Sequence, residues 1–141
     1  MRSLSHLRQL RGTSGQNLLE FSIGIFLLVT LLLAVFEVGR LLLVYTTVAN
    51  AAGAGARYAA VHGANAAVTV SQVQNVVRNY LSAAPLDTAR AGLIINVTYG
   101  GGSNAIGSTV TVQVVYPYDP FTPYLPFTTN LGSTSQGVIA F

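Results

Sequence analysis

The chain has 141 residues, 51% of them hydrophobic and 8% charged, with no cysteine and a formal net charge of +3. That length suits one domain, and charge so far below the roughly 25% of an average globular chain points to a membrane or assembly protein. The composition excludes a disulfide framework and thiolate chemistry, and it offers no surface for nucleic acid: Arg2, Arg8 and Arg11 all precede Glu20, and the remainder balances four arginines against four acids.

Residues 1–15 are basic, rich in Ser and Gly, and lack an apolar face, which reads as a leader. Phe21 to Phe36 is an uncharged run of 16 residues. Leu18 and Leu19 extend it to a transmembrane segment over about 18–36, close to the roughly 20 residues a bilayer needs. Arginines before the run place the N-terminus in the cytoplasm and the rest of the chain outside it. The helix need not end there. Glu37 and Arg40 lie three apart and can pair on one face, LLLVY resumes the apolar sequence, and no proline occurs before Pro85.

Next comes VANAAGAGARYAA, almost entirely small residues. Gly53 and Gly55 in mid-helix each cost about 1 kcal/mol against alanine. Close approach of another helix would offset that, along a stripe of Ala49, Ala52, Gly53, Ala56 and Ala60. The expectation is one helix from about Asn17 to about His62, about 65–70 Å long at 1.5 Å per residue. Domain boundaries follow: a leader over 1–15, the long helix over 16–62 and a head over 63–141.

HGANA breaks the helix. Val73, Val76, Val77, Tyr80 and Leu81 then recur at helical spacing, with Ser71 as N-cap and an end near Ala84, before Pro85. After that the period is two. Leu93, Ile95, Val97 and Tyr99 share one face of a strand, and Val110, Val112, Val114 and Tyr116 share one face of another, as in half-buried antiparallel strands. The connection GGGSNAIGS is long for a hairpin and predicts a mobile loop. GVIAF at the C-terminus could add a third strand. The predicted class is α+β: a long N-terminal helix, then a small head with one helix and an antiparallel sheet of about three strands.

Between the second and third strands, PYDPFTPYLPF places Pro117, Pro120, Pro123 and Pro126 three apart, and Phe121, Tyr124 and Phe127 likewise. In polyproline II these would form a proline ridge and an aromatic ridge. They either dock a partner or cover the chain's own sheet, and the second reading is the commoner outcome for a long loop in a small domain.

No set of residues forms an active site, so neither enzyme nor cofactor is expected. His6 and His62 are isolated, without the three or four convergent ligands that zinc needs. Ser71, His62 and Asp87 could be drawn as a triad, but no nucleophile-elbow context supports them. Gly100-Gly101-Gly102 precedes neither a helix pattern nor a lysine, so it is no phosphate loop. Asn96-Val97-Thr98 matches the glycosylation sequon in mid-strand. The export signal is stronger, and two cleavage sites compete for it. Ala49-Asn50-Ala51 fits a secretory A-x-A, but its upstream segment is too long and Glu37 and Arg40 interrupt it. The other site is Gly15, before the apolar run.

GQNLLEF, Gly15 to Phe21, resembles the processing site of type IV prepilins: a glycine, four residues, then a glutamate opening an apolar helix. Small residues followed by GARYAA (Gly55, Ala56, Arg57 and Tyr58 onward), together with FEVGRLLLVY, are similar to TadE-like proteins, minor pilins or pseudopilins of the tight-adherence (Flp) pilus machinery. The resemblance covers residues 15–62 and only in outline the C-terminal part. It implies cleavage after Gly15 by a membrane prepilin peptidase, leaving Gln16 as the new N-terminus and Glu20 as the family's acid. Gln16 stands where major type IV pilins carry Phe. The implied partners are other pilins, the tight-adherence machinery, the peptidase and membrane lipid, in the inner membrane of a bacterium. Glu20 would then neutralise a neighbouring subunit's α-amine, or it would sit near the headgroups and cap its own helix.

Two rival readings remain beside the pilin. One is an uncleaved single-pass anchor whose head is a binding module. The other is a secreted enzyme released after Ala51.

Overall fold

The computed structural model describes residues 10–63, 68–84, 86–121 and 128–140, with residues 10–14 as backbone alone. Its elements are α1 (Leu10–His62), α2 (Val70–Ala83), β1 (Ile94–Tyr99), a short 3-10 turn (Gly100–Gly102), β2 (Thr109–Tyr118) and β3 (Thr129–Val138). The three strands form one antiparallel sheet in the order β1-β2-β3. The class is therefore the expected α+β. The chain divides into two compact units, Met1–Val38 and Gly39–Phe141.

Among the described residues, the first unit is helix alone. α1 ends at the expected His62 but begins at Leu10 rather than near Asn17, because no proline stands between them to stop it. Its apolar run has no core to enter. Phe21 is 66% exposed, Phe26 70% and Leu28 56%. Two polar residues within the run satisfy themselves locally. The Ser22 hydroxyl donates to the Leu18 carbonyl at 2.7 Å, and the Thr30 hydroxyl donates to the Phe26 carbonyl at 2.8 Å. Such back-bonding removes the need for water at those hydroxyls.

The second unit builds a core between its helices and one face of the sheet. α1 presents Val44, Val48, Ala51, Ala52, Ala56 and Ala59, spaced three and four apart on one side. α2 presents Val73, Val77 and Leu81. The sheet presents Ile95, Val110, Val112, Val114, Tyr116 and Tyr118, all buried and all alternate residues of their strands. Each large aliphatic fully buried here contributes about 1.5–3 kcal/mol over its exposed state. α2 runs beside β1, where the Gln74 amide Nε2 donates to the Ile95 carbonyl at 2.9 Å.

Two details of α2 differ from the sequence reading. The N-cap of α2 is Thr69, not Ser71. The Gln72 side chain reaches back and accepts from the Thr69 N–H at 3.1 Å, half of a capping box, while the Ser71 hydroxyl bonds that of Thr69. Tyr80 lies off the buried stripe of α2, at 40% exposure.

Two hydrogen bonds anchor the hairpin loop to neighbouring segments. Gly107 N donates to the Ile139 carbonyl at 2.9 Å, and the Asn104 amide donates to the Gly63 carbonyl at 2.8 Å. Gly101 and Gly102 take φ of 71° and 72° in its turn, where side chains are disfavoured.

The largest correction is β3. GVIAF predicted a strand from Gly137; the strand runs over Thr129–Val138, and only its last two residues were foreseen. TNLGSTSQGV shows no apolar alternation because its inward positions are Leu131, Ser133, Ser135 and Gly137. Helix α1 crowds that face. A Cβ on Gly137 would meet the Ala60 Cβ at 3.2 Å and the Ala56 carbonyl at 3.3 Å. Small side chains are what lets the strand lie there, and they also erase the pattern that announces a strand.

Candidate assembly surfaces

Gly15, Gln16 and Glu20 are exposed residues within the N-terminal part of α1. A Cβ at Gly15 would meet nothing within 4 Å, so no packing requirement explains the glycine. Residues 18–36 follow with their apolar side chains outward. The stretch Gly15–His62 is long and apolar enough to cross a membrane, by length and composition.

The small-residue stripe divides. Ala52 and Ala56 are buried in the head's own core, and the Ala60 carbonyl accepts from the Ala140 N–H at 3.0 Å. Those three therefore already have partners inside the chain. Ala49 is half-buried, and Gly53 has open space around its Cβ position. Gly55, the other mid-helix glycine, is far tighter than Gly53: its Cβ would lie 2.6 Å from Val77 Cγ2 and 3.3 Å from Val112 Cγ1. Within the motif, Arg57 is exposed and Tyr58 is half-buried. The Tyr58 ring stacks on His62 at 4.5 Å. His62 Nδ1 lies 3.0 Å from the Tyr58 carbonyl, which can only accept, so Nδ1 carries the proton.

At the other end of the head a polar cluster was missed. Arg90 pairs with Asp119. Arg40 lies 5.2 Å over the Tyr118 ring and donates through Nη2 to the Asp119 carbonyl at 3.4 Å, while Arg90 lies 5.9 Å over the Tyr116 ring. Arg40 and Asp119 are 79 residues apart, and no local pattern links them.

Of the proline and aromatic series, Pro117 belongs to β2, opposite Asn130. Ladder directions alternate along a strand, and Ile139 donates to Ser108, so odd residues of β2 point toward β1. The last β1 pair is Ile94 with Val115. Pro117 lies beyond it, where no ladder partner asks for its missing N–H. Pro120 is half-buried and Phe121 is 72% exposed. Pro123, Tyr124, Pro126 and Phe127 lie outside the described residues.

Ser71, His62 and Asp87 each bond within their own turn, Asp87 by accepting from the Ala89 N–H at 2.9 Å. Among the described residues no group of three or more His, Asp or Glu could hold a metal ion. Burial pushes the Tyr99 phenol up from its usual value, and its hydroxyl donates to the Val68 carbonyl at 3.4 Å. Asn96 and Thr98 of the sequon are both exposed, on the sheet face turned away from the helices.

The N-terminal glycine, the exposed apolar run and the GAR segment of α1 fall within one family match. Residues 15–57 match the family model of TadE-like proteins. The match begins at Gly15 and ends at Arg57, so it takes in the apolar run and most of the small-residue segment but none of the sheet. No curated protein and no solved structure matches the chain. The TadE-like match and a helix able to span a membrane fit a membrane protein related to the tight-adherence pilus.

Proposed function

We propose that the protein is a structural minor pilin or pseudopilin of tight-adherence pilus assembly, cleaved after Gly15 by a prepilin peptidase. The observation that carries this is the TadE-like match starting at Gly15, just ahead of an apolar run of α1 whose side chains are exposed. The helix stays in the inner membrane until assembly, with its N-terminus cytoplasmic and the head outside. Its partners are other pilins and the tight-adherence machinery, and its role is structural rather than catalytic.

Cleavage would create a cation at Gln16. Glu20 sits in the first turns of the shortened helix, where the macrodipole favours an anion. A neighbour's α-amine paired with Glu20 would spare both groups the cost of an unpaired charge in lipid. Glu20→Gln therefore keeps insertion and cleavage but loses recovery of pilus components in a pull-down. Wild-type recovery would leave Glu20 a helix cap.

One observation favours the uncleaved single-pass anchor. α1 begins at Leu10, so Gly15 lies inside the helix rather than before it. A peptidase must unwind that turn, and glycine lowers the cost by about 1 kcal/mol against alanine. N-terminal sequencing of the mature protein decides between the readings. Gln16 as first residue supports the pilin, Met1 the anchor, and Ala52 a secreted form. Gly15→Leu blocks shortening in the first case and changes nothing in the others.

A further inference from the structure

The outward surface of α1 stays apolar beyond the point where the head begins. Leu41 and Val44 pack on the head's core, while Leu42, Leu43 and Tyr45 are exposed. The Thr46 and Thr47 hydroxyls donate to the Leu43 carbonyl at 3.0 and 2.8 Å, the same back-bonding that satisfies Ser22 and Thr30 within the run. From Phe21 to Thr47 the helix carries two charges, and neither is displayed. Glu37 is buried, and Arg40 is half-buried with its guanidinium over the Tyr118 ring. A helix surrounded by water gains nothing from hiding charges and hydroxyls in this way; one that still touches lipid does.

The length of the helix agrees. Measured along α1 from Glu20, a hydrocarbon layer of roughly 30 Å extends to about Arg40, and an outer headgroup layer of roughly 5–8 Å extends to about Tyr45. Arg40 and Tyr45 are of the types that favour that layer, a cation on an apolar stem and a ring with a polar tip. The head reaches the same level. Arg40 Nη2 donates to the Asp119 carbonyl at 3.4 Å, so the end of β2 and the residues after it lie beside Arg40. Two residues on, Phe121 is 72% exposed.

We propose that this end of the head rests in the outer headgroup layer of the membrane, with the Phe121 ring inserted among the phospholipids. An exposed aromatic ring beside a bilayer leaves water by entering that layer. Asp119 does not oppose the contact, because its carboxylate is paired with Arg90. The contact rests on the reading that α1 crosses the membrane, and it does not depend on cleavage at Gly15. It holds the head in one orientation on the membrane surface until assembly draws it away. The opposite end of the head supplies a matched comparison. Ile106 is 71% exposed, in a loop bonded through Asn104 to Gly63. That loop lies by the C-terminus of α1, about 33 Å farther along the helix than Arg40.

The chain contains no tryptophan, so a single introduced one reports its own position. Phe121→Trp, Ile106→Trp and Leu28→Trp are each reconstituted as the full chain in phosphatidylethanolamine–phosphatidylglycerol vesicles. The lipids carry bromine either close to the headgroup or near the ends of the acyl chains. Bromine quenches fluorescence on contact, so a tryptophan covered by protein keeps its emission. Bromine close to the headgroup should quench Phe121→Trp several-fold more than Ile106→Trp, and bromine near the chain ends should quench Leu28→Trp most. A quenched Leu28→Trp beside an unquenched Phe121→Trp overturns the proposal and leaves the anchor standing. An unquenched Leu28→Trp removes the membrane-spanning reading and the proposal with it. Equal quenching at positions 121 and 106 also overturns the proposal, because the contact would then not belong to one end of the head.

Discussion

Two stretches of α1 have opposite relations to their surroundings. Between Leu18 and Phe36 the side chains are large, apolar and exposed; between Val48 and Ala59 they are mostly small, and the stripe facing the sheet is buried. Both are hydrophobic helix by composition. The difference lies in where the partner comes from. Large apolar residues left exposed among the described residues need lipid or another protein. Small residues allow backbone to approach backbone, and here the approaching elements are the chain's own α2 and sheet, with Gly55 against Val77 and Gly137 against Ala60.

The widest separation between the two stretches should come from equal truncations. Leu81 is fully buried in the head and Leu28 is 56% exposed. Leu81→Ala should cost the head about 2–5 kcal/mol. Leu28→Ala should leave its melting unchanged, as measured by circular dichroism of the full chain in detergent. Equal shifts would mean that the apolar run packs on the head after all.

The converse test places a charge in the run. Leu28→Arg should raise the cost of membrane insertion by about 2.5–3.5 kcal/mol. It should leave the melting of the solubilised head where it was. Undiminished insertion would argue that residues 18–36 do not cross the membrane.

A smaller effect comes from adding one methyl group to a glycine in each stretch. At Gly55 the new Cβ would lie 2.6 Å from Val77, while at Gly24 it would meet nothing within 4 Å. Gly55→Ala should destabilise the head by about 1–3 kcal/mol through overpacking. Gly24→Ala should strengthen the helix by up to about 1 kcal/mol. A harmless Gly55→Ala would return the small stripe to a neighbouring subunit.

The smallest expected effect concerns pH. Burial raises the folded-state pKa of Tyr99 above its unfolded value, which is about 10. Its contribution is therefore complete below that pH and declines as pH rises through the folded value. A urea titration of the head between neutral and strongly alkaline pH should show the decline, and Tyr99→Phe should flatten it. An unchanged slope would assign the alkaline loss to other groups.

The sequence by itself determined the exposed apolar helix, its end at His62, the buried stripe of α2 and the two alternating strands. In each, one local period of apolar residues dictates one face. It also contained the glycine-to-glutamate spacing at Gly15 and the GAR segment, which lie on one continuous stretch. Tertiary structure alone decided the rest. β3 has no apolar period of its own, because after Leu131 its inward positions are serine and glycine, and at Gly137 α1 stands too close for a larger side chain. Arg40 and Asp119 meet only because β2 returns its end to the start of the head's helix. Ala52, Ala56 and Gly55 carry the same small-residue signature whether they face a stranger or their own sheet. Local periodicity can show that a helix needs a close partner; only the folded chain shows that most of the stripe already has one.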